Sequence, residues 1–192
     1  PIMGQYPDRE TLSLDDGVPY YPTLSYIAES PLRVGLLYVG ADDGRFHVSM
    51  DGGATFTDIS DNFPGLPANA WVGGIEPSAF DEATVYAVFD NHRSDDYANH
   101  LYKSTDYGQT WVSIVGDMTP NRVLRAVKED PRNPDVLYAA AELGFWLTVD
   151  GGEHWVELKN NMPTLPFNDF VIHPRDNDLI VDLHRDGRAR IT

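Results

Sequence analysis

Side chains that can bind metals or polar ligands gather in one short stretch of the sequence, residues 89–100. A site in this stretch would be built from four residues: Asp90, His92, Asp96 and His100. Histidine with carboxylate suits zinc or manganese, and carboxylate with carbonyl oxygen suits calcium. The spacing matches no familiar metal motif, so we expect no cofactor and no metal, with calcium as the alternative. The simpler interpretation is a solvated loop in which Arg93 pairs with Asp95 or Asp96.

Carboxylates in other predicted loops could join the same binding site. We take the binding candidates to be Asp42, Asp43, Asp90, His92, Arg93, Asp96, His100 and Glu142. A glycosidase needs two carboxyl groups about 5 Å or about 6.5–9.5 Å apart, and the candidates for such a pair are Asp90, Asp96 and Glu142. Because an acidic chain offers many such residues, we assign no catalytic residue. Two aromatic side chains, Tyr97 and Phe63, are expected to be exposed and to anchor a partner.

Other catalytic patterns are missing from the sequence. A sialidase needs a cluster of arginines, and the candidates are few: Arg122 and Arg125 on inner strands, with Arg93 and Arg185 on loops. No Gly-x-Ser-x-Gly elbow, phosphate-binding loop or dinucleotide fingerprint occurs. The sequence contains no cysteine, which excludes disulfides, zinc–thiolate sites, iron–sulfur clusters and thiol catalysis.

One pattern occurs three times, with a serine or threonine followed by an aspartate, a glycine and an aromatic residue. The copies span residues 49–56, 104–111 and 148–155, and their aspartates lie 55 and then 44 residues apart. The aspartate can accept N–H bonds across a turn, the glycine can take a positive φ, and the aromatic ring can pack between sheets. We therefore expect structural roles for Ser49, Asp51, Gly53, Phe56, Ser104, Asp106, Gly108, Trp111, Asp150, Gly152 and Trp155.

Runs rich in Val, Tyr, Trp, Phe and Ile separate these turns and predict β-strands. In the second repeat we expect four strands, at roughly residues 71–76, 84–89, 100–105 and 110–115. Four strands in a period of about 45 residues are typical of a β-propeller blade. The predicted fold class is all-β, a β-propeller with blades of four antiparallel strands, three of them full and a fourth in part. The expected blades span about residues 24–60, 71–115, 122–158 and 167–192, after an irregular lead-in over residues 1–23.

The three turns match the Asp-box, or BNR repeat, and the chain resembles bacterial sortilin-like and glycosyl-hydrolase BNR-repeat proteins. The stretches most similar to such proteins are residues 37–44, 129–134 and 173–178. The resemblance covers about residues 26–181, and the third turn departs from the pattern with Thr148 and His154. It implies ligand binding in the central channel or on the face that carries the loops between second and third strands. We also expect an extracellular or periplasmic location.

The charge of the chain limits its partners. Lys and Arg number 14 against 30 Asp and Glu, which gives a formal net charge of −16. This charge argues against nucleic acid and anionic membrane surfaces, and no apolar run is long enough for direct membrane insertion. We therefore expect a non-catalytic interaction propeller that binds a neutral or basic protein or glycan. The alternative is a sialidase- or xyloglucanase-like glycosidase that uses paired carboxylates.

The number of repeats bears on assembly. Propellers close with ~4–8 blades, whereas this sequence supplies three repeats and the opening of a fourth. An open arc leaves the faces of its end sheets uncovered. We expect the chain to be part of a longer polypeptide or an assembly, packed against further blades or another subunit.

Overall fold

The computed structural model describes residues 23–159, 167–173, 175–176, 178–183 and 187–191. Apart from Thr23, the predicted lead-in lies outside the described residues, as does Arg185. The described residues form strands and two single 3-10 turns, at Ser60–Asn62 and His92–Ser94. No helix in these ranges is long and apolar enough to cross a membrane.

The strands form four antiparallel sheets, each with its strands in chain order. Sheet 1 contains β1 (Leu24–Glu29), β2 (Leu37–Ala41), β3 (Phe46–Ser49) and β4 (Thr57–Asp58). Sheet 2 contains β5 (Trp71–Pro77), β6 (Val85–Asp90), β7 (His100–Ser104) and β8 (Val112–Ser113). Sheet 3 contains β9 (Leu124–Asp130), β10 (Asn133–Ala141), β11 (Gly144–Thr148) and β12 (Val156–Glu157). Sheet 4 contains β13 (Phe167–Ile172), β14 (Leu179–Leu183) and β15 (Gly187–Ile191).

This architecture confirms the predicted all-β propeller class. In sheet 2 the strands begin and end within two residues of the predicted positions. The largest difference is in the fourth strand, which shrinks to Val112–Ser113, both exposed. An outermost strand pairs on one side only and buries little, so few of its residues keep strand geometry.

Tyrosines at one repeated position show how the sheets pack. Tyr38, Tyr86 and Tyr138 occupy the same place in β2, β6 and β10, and each packs into the apolar cluster shared with the following sheet. Successive side chains along a strand point to opposite faces, so alternate residues contact the preceding sheet. The core therefore consists of three apolar layers between four sheets.

The innermost strand of every sheet carries the same irregularity. Strands β1, β5, β9 and β13 each have one extra residue relative to their partner strand, at Ser25, Gly73, Arg125 and Asn168. A β-bulge of this kind leaves the extra residue unpaired in the ladder and re-aims its side chain. The four bulge residues are therefore structurally equivalent positions.

The repeated turn joins the third strand to the fourth and is closed by hydrogen bonds to its aspartate. In the second copy, Ser104 Oγ donates to Asp106 Oδ1 at 2.8 Å, and Thr110 Oγ1 donates to Asp106 Oδ2 at 2.6 Å. Gly108 N donates to Ser104 Oγ at 2.8 Å, with a φ of 86°. The first copy has the same arrangement, and hydrogen bonds from the Thr55 side chain and backbone lower the pKa of Asp51 to about 2.

In the third copy a histidine takes the place of the threonine. His154 N donates to Asp150 Oδ1 at 3.0 Å, and His154 Nδ1 lies 2.8 Å from Asp150 Oδ2. This hydrogen bond raises the pKa of His154. The hydrogen bonds from the His154 backbone, the Thr148 hydroxyl and the His154 ring hold the pKa of Asp150 well below its usual range.

The aromatic residues that close the second and third turns pack on the preceding sheet. Trp111 is 4% exposed and stacks on Phe63, with 4.4 Å between ring centroids. Trp155 Nε1 donates to Ile114 O at 2.9 Å, across the boundary between sheets 2 and 3. Phe56 belongs to the first described sheet and is 46% exposed, so its ring packs between no two sheets of the described residues. The expectation that Phe63 is an exposed anchor is also wrong, because this ring is buried against Trp111.

Candidate functional site

A cavity of about 390 Å³ lies where the innermost strands of the four sheets meet. The bulge residue of every sheet lines it, namely Ser25, Gly73, Arg125 and Asn168. The other lining residues are Tyr26, Trp71, Asp90, His92, Arg93, Ala126 and Asp169. One repeated backbone position therefore supplies a wall of this cavity from each sheet.

Asp90 is the best-anchored polar group of the cavity. It ends β6 and is 7% exposed. Its Oδ1 accepts the backbone N–H of His92 at 3.0 Å and lies 2.6 Å from His92 Nδ1. Its Oδ2 accepts Arg125 Nη1 at 2.5 Å. Both carboxylate oxygens are therefore engaged by neighbouring donors, and the ion pair joins sheet 2 to sheet 3.

Arg93 is held above the cavity by an aromatic ring. Its guanidinium carbon lies 4.4 Å from the ring centroid of Trp71, within the range of a cation–π contact. Trp71 opens β5 and pairs directly with Asp90 of β6. The 3-10 turn His92–Ser94 ends at Asp95, whose left-handed φ of 62° turns the chain back toward β7. The loop thus brings His92 and Arg93 to the same cavity as Asp90.

Asp96 and His100 form a separate network within the same loop. His100 Nε2 lies 2.8 Å from Asp96 Oδ2, which also accepts Asn91 Nδ2 at 3.1 Å. Burial opposes ionisation of Asp96, but hydrogen bonds from the Ala98 backbone, Asn91 and His100 outweigh it and hold its pKa below the usual range. Neither Asp96 nor His100 lines the cavity. The predicted set of Asp90, His92, Asp96 and His100 is therefore divided between two clusters.

The remaining binding candidates lie elsewhere. Asp42 is buried, and its Oδ1 accepts the Thr23 backbone N–H at 2.8 Å. Asp43 Oδ1 accepts the backbone N–H of Arg45. Asp43 also lines a second cavity of about 310 Å³. Burial raises the pKa of Asp43. Glu142 lies in the turn between β10 and β11 and lines neither cavity.

Across the described ranges, only Asp150, Glu153 and His154 bring three metal-binding atoms within 4.8 Å of one another. All three residues are exposed, and Asp150 already accepts the donors of its own turn. The predicted loop residues form no such group in the described part of the chain.

The sequence did not predict several of the residues that line the cavity, namely Ser25, Tyr26, Trp71, Gly73, Ala126, Asn168 and Asp169. Arg125 was noticed only as an arginine on an inner strand. The bulge residue is the second residue of the first strand in sheets 1, 3 and 4. In sheet 2 it is the third residue of that strand. Aligning the first strands of the repeats could have brought these positions together, although their residue types differ completely.

The sheet order, the repeated turn and the axial cavity define the class of this protein as a β-propeller of the Asp-box type. A family model described as "Sortilin, neurotensin receptor 3" matches residues 44–190. The chain belongs to this family, Sortilin-Vps10. No curated protein sequence matches the chain.

Solved structures with the same fold include enzymes and binding proteins. The GH74 xyloglucanase from Xanthomonas campestris is 19% identical, with a TM-score of 0.64 over 82% of this chain and 26% of that chain. YCF48, solved bound to a peptide, is 14% identical, with a TM-score of 0.62 over 83% of this chain and 46% of that chain. A COPII outer-coat chain is 10% identical, with a TM-score of 0.64 over 88% of this chain and 46% of that chain. This chain therefore spans about a quarter of the xyloglucanase and under half of the other two.

Proposed function

We propose that this chain is a non-catalytic interaction propeller and that a protein partner binds in the cavity of the bulge residues. The observation that carries the proposal is the convergence of Ser25, Gly73, Arg125 and Asn168 on one cavity. Because each sheet contributes a different residue at the same backbone position, the cavity wall combines several kinds of side chain. Binding sites need such a combination of a concave surface and a few polar groups. The chain also packs against a further blade or another subunit, because Ile27 and Phe56 are exposed at the end of the sheet array.

The cavity suits a polypeptide segment. Arg93 and Arg125 carry N–H donors for main-chain carbonyl oxygens, and Asp169 carries a carboxylate for N–H groups. The net charge of −16 favours a partner that is neutral or basic overall, and salt weakens the association. YCF48 has this fold and was solved with a bound peptide, which supports the same use of the fold here.

Glycan cleavage is less well supported by the geometry. Both oxygens of Asp90 are engaged by His92 and Arg125, and such contacts lower the nucleophilicity of a carboxylate. Asp96 and Glu142 line no part of the cavity, so neither pairs with Asp90 across it. The hydrogen bonds on Asp96 also lower its pKa, which is the wrong direction for a general acid.

A cavity-filling variant tests the proposal. A Cβ atom at Gly73 would lie 3.5 Å from the nearest heavy atom, Arg125 O, so Gly73→Gln fills the cavity without a backbone clash. Ser113→Gln adds bulk on the exposed edge strand β8 and is the matched control. Binding is measured to immobilised synthetic peptides of basic, neutral and acidic composition and to xyloglucan, at low and high salt.

We expect neutral or basic peptides to bind the wild type and the control, and Gly73→Gln to weaken this binding about tenfold or more, which is about 1.4 kcal/mol. Equal peptide binding by Gly73→Gln and the wild type contradicts the proposal. The wild type could also hydrolyse a chromogenic or polymeric glycan. If Asp90→Asn abolished that hydrolysis, the result would contradict the proposal and favour the glycosidase.

A further inference from the structure

An acidic residue lies at the end of the second strand, or directly after it, in each of the first three sheets. These residues are Asp42, Asp90 and Glu142, and the strand register places them at equivalent points. The backbone N–H of Asp42 donates to Thr23 O at 3.0 Å, and that of Glu142 donates to Val123 O at 2.8 Å. The three acidic residues therefore occupy one repeated position, beside the start of the innermost strand.

Asp90 shows how this position is satisfied when a cation faces it. The bulge residue of the following sheet is Arg125, and its Nη1 donates to Asp90 Oδ2. For Asp42 the following sheet is sheet 2, whose bulge residue is Gly73. Because glycine has no side chain, the arginine that pairs with Asp90 has no counterpart beside Asp42.

Asp42 carries a carboxylate oxygen that is buried without a donor. The residue is 2% exposed, and its Oδ1 accepts the Thr23 backbone N–H at 2.8 Å. Its Oδ2 is buried and accepts no hydrogen bond from the described part of the chain. Buried carboxylates are normally paired or hydrogen-bonded, so an exception of this kind indicates a place for a donor supplied by a ligand.

Sheets 1 and 2 are in close contact around this point. A Cβ atom at Gly40, two residues before Asp42, would clash with the Val72 side chain, so the end of β2 packs tightly on β5 just before Gly73. Ser25 Oγ donates to Val72 O at 2.8 Å across the same boundary. Gly73 lines the axial cavity, and a Cβ atom there would lie 3.5 Å from its nearest neighbour. A side chain that enters the cavity over Gly73 therefore approaches the strand end that carries Asp42.

We propose that Asp42 and Gly73 form a subsite for an arginine side chain of the protein partner. The guanidinium enters over Gly73 and donates to Asp42 Oδ2, as Arg125 donates to Asp90 Oδ2 in the next pair of sheets. Guanidinium suits this place because it keeps its charge when buried and its hydrogen bonds to a carboxylate are charge-assisted.

A metal ion matches the place less well, since Asp42 belongs to no group of three metal-binding side chains within the described ranges. The inference rests on the proposed binding of a polypeptide in the cavity. It deepens that proposal by naming a side chain that the cavity selects.

A blocked amino acid tests the subsite without knowledge of the partner's sequence. N-acetylarginine methylamide is titrated into isotopically labelled protein, and the amide resonance of Gly73 reports binding. N-acetylcitrulline methylamide is the matched probe, because citrulline has nearly the same shape without the charge. Asp42→Asn removes the carboxylate charge but keeps an oxygen for the Thr23 N–H. Asp61→Asn is the control variant, because it removes the same charge from an exposed residue of the turn Ser60–Asn62.

We expect the arginine derivative to shift the Gly73 resonance in the wild type and in Asp61→Asn. Asp42→Asn should weaken this binding about tenfold, and the citrulline derivative should bind the wild type about as weakly. The inference is overturned if the wild type shows no shift, if the two derivatives bind it equally, or if Asp42→Asn binds the arginine derivative as the wild type does.

A second set of variants tests the geometry within the chain itself. Gly73→Arg supplies the arginine that sheet 3 carries at the equivalent position, and Gly73→Gln supplies an uncharged side chain. We expect the Tm of Gly73→Arg to exceed that of Gly73→Gln by about 2–4 °C, and we expect this difference to vanish when Asp42→Asn is added to both. Equal Tm values in the first pair, or a difference that persists with Asp42→Asn, contradict the subsite.

The proposed function and the arginine subsite fail in different ways. If Gly73→Gln binds peptides as tightly as the wild type, the proposed use of the cavity is wrong. The last measurement compares an arginine-containing peptide with its citrulline analogue on the wild type and on Asp42→Asn. If both peptides bind in the cavity and Asp42→Asn leaves their affinity ratio unchanged, only the arginine subsite is wrong. A ratio that falls about tenfold in Asp42→Asn is the expected result.

Discussion

Asp90 and Arg125 belong to neighbouring sheets and form an ion pair whose carboxylate is almost fully buried. Asp90 ends the second strand of sheet 2, and Arg125 is the bulge residue in the first strand of sheet 3. The bulge re-aims the arginine toward the axial cavity, where its Nη1 reaches Asp90 Oδ2. This pair therefore couples the wall of the cavity to the packing of the two sheets.

Removal of the arginine should destabilise the protein. Arg125→Ala leaves the buried Asp90 without its Nη1 donor, and we expect a loss of about 1–3 kcal/mol in the free energy of unfolding. Arg45→Ala removes an ion pair to Asp58 that is largely exposed, and should cost at most about 1 kcal/mol. Urea unfolding of both variants measures the difference. Equal losses of unfolding free energy in the two variants would show that burial of Asp90 does not increase the contribution of its ion pair to stability.

Truncation of the closing aromatic residue should cost much more stability in the second copy of the turn than in the first. Trp111→Ala removes a buried ring that stacks on Phe63, and we expect a loss of about 3–5 kcal/mol. Phe56→Ala removes a half-exposed ring, and we expect less than about 1 kcal/mol in dilute protein. Thermal and urea unfolding report both values. A large loss for Phe56→Ala in dilute protein contradicts the packing described here.

The third turn should make stability depend on pH near neutrality. The folded pKa of His154 is raised above its ordinary value of 6.5 by the hydrogen bond to Asp150. Its contribution is therefore complete below pH 6.5 and is lost as the pH rises through the folded pKa. His154→Thr restores the hydroxyl found in the other two copies and should remove this component. The measurement is the difference in unfolding free energy between wild type and variant across this range, and a difference that does not change with pH refutes the assignment.

Acid should weaken the first turn in a defined window. The pKa of Asp51 falls from 3.8 to about 2 on folding, because the side-chain and backbone donors of Thr55 favour the carboxylate. Its stabilising contribution is therefore present above pH 3.8 and is lost as the pH falls through about 2. Asp51→Asn cannot titrate and should flatten the stability profile in that window. Parallel acid titrations of wild type and variant, followed by circular dichroism, provide the test, and coincident slopes would count against it.

The hydrogen-bonded turns could be predicted from residue types because their partners are close in sequence. Ser104, Asp106 and Thr110 lie within seven residues, so local backbone geometry suffices to bring their atoms together. The strands of sheet 2 were predictable for a similar reason, since alternation and β-branched residues are properties of short segments. The repeat period then made the propeller the natural architecture.

The candidate site was predictable only in part. Asp90, His92 and Arg93 were recognised because they are neighbours in one conspicuous loop. Their separation from Asp96 and His100 was not foreseen, because it depends on which side of the loop each side chain faces. Phe63 looked like a surface aromatic, yet the ring of Trp111 from the following sheet covers it.

The amino-acid order of each repeat was enough to establish four-stranded blades and their closing turns, since both depend on interactions within a few residues. The cavity arose only when the sheets were assembled around an axis. Ser25, Gly73, Arg125 and Asn168 come from four different repeats and are four different residue types. Backbone register alone makes them neighbours, and register across sheets is a property of the packed structure rather than of any single segment.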